Sequence, residues 1–152
     1  MHRLVSDCCE TLRGPEPSQE RRSFNFRYCL AFNLAVQFSG AQDWAKAARY
    51  LDAALLTAKK RFAHQDALSV LDQADWVVAH LPEPEREAAR LELLERRGSI
   101  YAAMHEPKAL PVFSELTDTA QRLGRVDVQA RAEIGLAYAW GSKDIGIRRA
   151  HG

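Results

Sequence analysis

The stretch DWAKAARYLDAALLTAKKRFAH, residues 43–64, decides the fold class. Its apolar side chains recur every three or four residues, which is the spacing of one face of an α-helix. Asp43 can cap the free amides at the start of this helix, and the basic residues 59–61 suit its negative C-terminal end. We therefore predict an amphipathic helix with one buried stripe. The stripe contains Ala47, Leu51, Ala54, Leu55 and Ala58.

The composition extends this prediction to the whole chain of 152 residues. The sequence contains 24 Ala and 17 Leu but only 8 Val and 4 Ile, a mixture that favours helices over strands. Apolar residues make up 47% of the chain and charged residues 27%, which is typical of a globular protein and not of a disordered one. The predicted fold class is all-α, with about six helices.

Charge and cysteine usage exclude several classes of protein. The net charge is +1, with 21 basic and 20 acidic side chains, so the electrostatic footprint of a dedicated nucleic-acid binder is missing. No apolar run approaches the ~20 residues that cross a bilayer. Cys8, Cys9 and Cys29 lack the spacing of a zinc site. We expect a cytoplasmic protein with reduced thiols, no membrane partner, and no metal or cofactor.

The helical pattern divides the chain into three segments. Residues 1–23 are polar and contain Gly and Pro, and they predict a flexible leader. Residues 24–141 predict one domain of stacked helical hairpins, and residues 142–152 predict a flexible tail. Pro111 interrupts the fifth helix, which begins near Pro107 with a frayed turn or starts near Leu110. The sixth helix is expected to end near Trp140.

An internal repeat connects these helices. A small residue, a large one four positions later and an apolar one three positions after that occur three times. These triplets are Ala47-Leu51-Ala54, Ala67-Leu71-Ala74 and Ala109-Phe113-Leu116. A second pattern places a small residue three positions before an aromatic one, as in Ala35-Phe38, Gly98-Tyr101 and Gly135-Tyr138. Small residues let neighbouring helices approach, so both patterns indicate helix packing.

These residues resemble the tetratricopeptide repeat family. Asp43-Trp44 matches the acidic-aromatic turn before a second helix, and the segment 134–138 is similar to the first-helix signature. The resemblance covers 24–140, but it lacks a regular 34-residue period and the Pro that often ends a repeat. It implies an α-α superhelix whose concave wall binds a peptide. The positions that match the wall are Phe32, Val36, Glu92, Glu95, Ser99, Gln129 and Leu136.

A narrower resemblance rests on a series of short segments that includes Arg61-Phe62-Ala63-His64, Leu81-Pro82 and Leu123-Gly124. Their order is similar to the helical region that follows the ATPase module in large bacterial signalling ATPases and transcriptional regulators. The chain has no phosphate-binding loop of its own, so no ATPase activity is expected. The resemblance implies a part or remnant of such a regulator. It also implies that the sixth helix lacks a covering partner, which favours either self-association or a soft C-terminal end.

The preferred hypothesis is a non-enzymatic module that binds a protein or peptide, and the mixed, partly acidic wall favours a partner with apolar and basic character. One alternative is a regulatory fragment associated with nucleic acid, for which the basic residues 59–61 and Arg148-Arg149 would contact phosphates. The other is a small helical enzyme that uses His105 and Glu106. The three tryptophans are candidates either for the core or for an interface. They are Trp44, Trp76 and Trp140.

Overall fold

The computed structural model describes the backbone of residues 19–150 and the side chains of residues 26–141. Within this range the protein is all-α, as the sequence predicts, and contains no strand. The helices are α1 (Gln19–Gly40), α2 (Trp44–Lys60), α3 (His64–Val78), α4 (Glu85–Ala103), α5 (Ala109–Arg122) and α6 (Val126–Ala150).

Two helix ends differ from the sequence prediction, and the start of α5 agrees with one of the two predicted alternatives, a start near Leu110. α1 begins at Gln19, inside the range expected to be a leader, and α6 continues beyond Trp140 into the range expected to be a tail. Gly141 therefore lies within a helix, because one interior glycine costs only about 1 kcal/mol and does not by itself end a helix. α5 begins at Ala109, which places Pro111 in the first turn, where a missing amide proton leaves no hydrogen bond unmade. Residues 1–18 lie outside the described part of the chain.

The helices form two compact units that divide between Leu81 and Pro82. The first unit contains α1 to α3, and the second contains α4 to α6. In each unit the middle helix packs against both of its neighbours. α4 and α6 also contact each other, whereas the main contacts of α1 and α3 are with α2.

Every helix carries inward-facing positions spaced four, three and four residues apart. This spacing averages 3.67 residues per step and follows one face of an α-helix. In α2 the four positions are Ala47, Leu51, Ala54 and Ala58, all of them buried as the sequence predicts. The equivalent residues are Tyr28, Phe32, Ala35 and Ser39 in α1; Ala67, Leu71, Ala74 and Val78 in α3; Leu91, Glu95, Gly98 and Ala102 in α4; Ala109, Phe113, Leu116 and Ala120 in α5; and Val128, Ala132, Gly135 and Ala139 in α6.

The second unit repeats the first at an interval of 61 to 63 residues. Tyr28 corresponds to Leu91, Ala47 to Ala109, and Ala67 to Val128. A contact outside the core repeats in the same register. The Lys46 ammonium lies 5.2 Å from the centre of the Phe38 ring, and the Lys108 ammonium lies 5.9 Å from the centre of the Tyr101 ring. The repeating element is thus a unit of three helices rather than a pair.

Phe113 occupies the centre of the second unit, between the two outer helices. A Cβ atom added to Gly98 of α4 would lie 2.9 Å from the ring of Phe113, and one added to Gly135 of α6 would lie closer still. Neither separation is possible without displacing the ring. The two glycines therefore provide the space that lets α5 insert a phenylalanine between its neighbours.

The four short turns inside the units share one backbone geometry. In each turn the second residue after the helix has positive φ, and the next amide donates to a carbonyl five residues earlier, which is the Schellman arrangement. Only Gly124 is the glycine that this geometry favours. The other three positive-φ residues are Gln42, Phe62 and His105.

Candidate interaction surfaces

The predicted wall residues are divided between the two units. Phe32 and Val36 lie on α1, and the other five lie on α4 and α6. Phe32 is only 6% exposed and stacks on Tyr28, so it belongs to the core of the first unit and not to an open surface. Leu136 is half-buried and packs against the core of the second unit.

The polar wall residues of the second unit belong to a charged network between α4 and α6. Arg131 of α6 donates to both carboxylate oxygens of Glu95 on α4, over 2.6 and 3.3 Å. Glu92 pairs with Arg96 at 3.6 Å. The hydroxyl of Ser99 donates to the backbone carbonyl of Glu95. An arginine therefore lies beside each of these two carboxylates, and the partly acidic character of the wall stays a prediction.

The carboxylate of Asp127 lies at the edge of this network and accepts two hydrogen bonds. Arg125 donates two hydrogen bonds of 3.0 Å to Asp127, and this interaction lowers the pKa of Asp127 to about 2. The hydrogen bond to Glu95 raises the pKa of Arg131. Gln129, the remaining wall residue, donates its amide to Glu133 over 3.0 Å. All of these polar groups therefore have partners within the same unit.

A cluster of three rings joins α2 to the end of α3 in the first unit. The imidazole of His80 stacks on the indole of Trp44 with their centres 4.2 Å apart, and Trp76 meets both rings edge-on. His80 Nδ1 donates to the backbone carbonyl of Trp76 over 2.8 Å, since a carbonyl can only accept. Trp44 is half-buried, and Trp76 is exposed. The cluster closes the open end of the α2–α3 hairpin.

Among the described residues, α6 carries a run of exposed small and apolar residues. Ala130, Ile134, Ala137 and Gly141, which we call the outer stripe, are all exposed, and Ile134 has 70% of its surface open to solvent. Each of them follows a position of the inner stripe by two residues, which places it about 200° further round the helix. A Cβ added to Gly141 would meet no atom within 4 Å. Val126 and Tyr138 extend the exposed apolar area on either side.

The outer stripe has the same four-three-four spacing as the stripes that hold each unit together. The wall residues predicted from the family resemblance do not include any of its members. The sequence signal that could have predicted the outer stripe is a second set of apolar positions in α6, each of them two residues after a position of the inner stripe. A helix with apolar side chains on two opposite faces is typical of an element packed between two others.

The candidate catalytic residues lie side by side in one turn of the second unit. His105 and Glu106 form the turn after α4, where positive φ at His105 completes the helix end. Among the described residues, no group of three or more His, Cys, Asp or Glu side chains could hold a metal ion. Cys29 is disulfide-bonded, so the expectation of reduced thiols is wrong for this residue; Cys8 and Cys9 lie outside the described part.

Comparison with known proteins assigns the chain to no family. The chain matches no family model, and neither a curated protein nor a solved structure is significantly similar to it. In the part of the chain that the structure describes, the helices are too short or too polar to cross a membrane. Functional inference therefore depends on the surfaces themselves.

Proposed function

We propose that this protein is a non-enzymatic interaction module that binds a helix of a protein partner through the outer stripe of α6. The observation that carries the proposal is the contrast between the two apolar stripes of that helix. The inner stripe packs into the unit, while the outer stripe offers the same spacing to solvent. Exposed apolar side chains on one continuous face mark sites of protein association.

The spacing determines the kind of partner. Side chains at four-three-four positions form a straight seam along the helix, about 16 Å long from Ala130 to Gly141. Such a seam fits the side chains of another helix better than an extended strand, whose residues alternate with a period of two. The partner would present an amphipathic helix with its own apolar seam. The module would form part of a larger bacterial regulator.

Site-specific photo-crosslinking in the native host tests the proposal. A photoreactive amino acid replaces Ile134, and in a control variant it replaces Leu56, which is also exposed but lies on α2 in the first unit. We expect a discrete crosslinked product from position 134 that the control does not give. A second change within the stripe, Ala137→Lys, should abolish that product. Identical products from both positions, or none from position 134, would contradict the proposal.

A further inference from the structure

We infer that the helix seated on the outer stripe is α6 of a second copy of this chain, which runs antiparallel to the first. This inference rests on the proposed function, because it assigns an occupant to the same surface. Ile134 keeps 70% of its surface exposed, so the three-helix unit to which it belongs leaves the stripe uncovered. A second copy of the chain offers the same stripe as its partner.

The order of the side chains makes the stripe complementary to itself. A four-three-four spacing is the same in both directions, so a two-fold axis through its midpoint aligns the stripes of two antiparallel copies. Ile134 then faces Ala137 of the second copy, and Ala130 faces Gly141. The one large side chain of the stripe, Ile134, thus meets a small one, as Phe113 meets two glycines inside the unit.

A parallel pair would be a poorer fit. In register, it would place Ile134 against Ile134 of the second copy and Gly141 against Gly141. The two isoleucines would hold the helices apart. At that separation the two glycines would leave an unfilled gap, and such a gap loses packing contacts. The antiparallel arrangement spreads the volume evenly along the seam.

The charged residues beside the stripe favour the same orientation. Arg131 and Tyr138 lie on one flank, and Glu133 lies on the other, all of them exposed. In the antiparallel pair, like flanks meet, so Arg131 faces Tyr138 of the second copy. The edge of its guanidinium stays hydrogen-bonded to Glu95 of its own chain, and the planar face can stack on the phenol ring. Among the residues whose side chains are described, the pairing brings no two like charges face to face. In the parallel pair, Tyr138 faces Glu133 of the second copy instead.

Light scattering coupled to size exclusion, over a range of concentrations of the full chain, tests the pairing. We expect a dimer whose dissociation constant rises by about tenfold or more in Ile134→Lys, a factor that corresponds to about 1.4 kcal/mol. Leu56→Lys provides the matched control, because it adds the same charge at an exposed leucine and should leave the dimer intact. Circular dichroism shows whether both variants keep the helical fold.

Two substitutions at one position test the orientation. In the antiparallel dimer, Tyr138→Glu brings a carboxylate to Arg131 of the second copy and should strengthen association, while Tyr138→Arg should weaken it. A parallel dimer would reverse both signs, because position 138 would then face Glu133. Reversed signs would overturn the antiparallel assignment.

The outcomes separate this inference from the proposed function. A chain that stays monomeric up to about 1 mM, while Ile134 crosslinks to a different protein in the host, would overturn self-pairing and keep the interaction module. A monomer that also gives no product specific to position 134 would overturn both. An Ile134→Lys variant that dimerises as strongly as the unchanged chain would place the dimer contact elsewhere and would overturn the inference.

Discussion

The two three-helix units fill the equivalent layer of their cores with different side chains. In the first unit the equivalent layer consists of Ala35, Leu51 and Ala74; in the second it consists of Gly98, Phe113 and Gly135. A larger central side chain is combined with smaller flanking ones, so the volume of the layer changes little. The comparison shows that the repeat conserves the spacing of the stripe and the sum of the volumes, not the identity of any residue.

The units also differ in how their outer helices meet. The glycines of the second unit allow α4 and α6 to contact each other, and the ion pair between Glu95 and Arg131 spans them. In the first unit, a hydrogen bond from the Tyr28 hydroxyl to the backbone carbonyl of Asp66 links α1 to α3. We expect the second unit to be more sensitive to side-chain volume and the first to be more sensitive to alkaline pH.

The largest effect is expected from emptying the central layer. Phe113→Ala should lower the free energy of unfolding by about 3 to 5 kcal/mol, because neither glycine can fill the cavity. Leu51→Ala, the matched change in the first unit, removes less volume and should cost less, about 2 to 4 kcal/mol. Urea unfolding of both variants measures the difference. A Phe113→Ala cost below that of Leu51→Ala would show that the ring does not occupy a tighter layer.

Filling the glycine site is expected to have the next largest effect. Gly135→Ala should destabilise the protein by about 1 to 2 kcal/mol, because the strain against the Phe113 ring exceeds the gain in helix propensity. The triple variant with Gly98→Ala, Phe113→Leu and Gly135→Ala reproduces the layer of the first unit. It should lose much less stability than the sum of its single changes, which a mutant cycle measures. Simple additivity would contradict the volume argument.

The turns of the two units offer a third comparison, in which each substitution is expected to change the free energy of unfolding by about 1 kcal/mol. Phe62 and Gly124 occupy equivalent left-handed positions at the ends of α2 and α5. Gly124→Ala should cost about 1 kcal/mol, whereas Phe62→Gly should gain a similar amount by removing the strain of a bulky residue at positive φ. Phe62 is 79% exposed, so its removal creates no cavity. Thermal unfolding tests both changes, and a loss of stability in Phe62→Gly would show that its side chain makes a needed contact.

The smallest effect concerns alkaline pH. Burial, with a further contribution from Asp66, raises the pKa of Tyr28 in the folded protein. A raised pKa contributes stability that is fully present below the unfolded value of about 10 and is lost as pH rises toward the folded value. Tyr28→Phe should cost about 1 kcal/mol at pH 7, through the lost hydrogen bond, and should make stability fall less steeply above pH 10. An unchanged slope between pH 9 and 11 would contradict this account.

The first unit was the easier one to predict from sequence. The stripe of α2 and the cap at Asp43 follow from residue spacing alone, and the structure confirms both, with Asp43 accepting from the Lys46 amide at 3.2 Å. Hydrogen bonds from Lys46 also lower the pKa of Asp43, as expected for a carboxylate that caps a helix. The turn at Gly124 was equally accessible. The left-handed backbone at Gln42 and Phe62 was not, because those residues tolerate positive φ only when the surrounding helices impose it.

The candidate surface was only partly predictable. The sequence indicated that α6 has no covering partner, and the exposed fraction of Ile134 is consistent with that expectation. The outer stripe itself was missed, because a family pattern directed attention to positions such as Phe32 and Glu95. Phe32 is buried, and Glu95 is paired with an arginine 36 positions away in the sequence. No local pattern specifies such a distant partner.

The order of the residues by itself determined that the chain is helical and which face of α2 is buried. These properties depend on spacing and propensity within a few turns of the chain. The tertiary structure alone decided that three helices form the repeating unit, that Phe113 lies between two glycines, and that one of the two apolar faces of α6 stays open. Those features depend on contacts between residues far apart in sequence, where side-chain volume and the approach of neighbouring helices determine what fits.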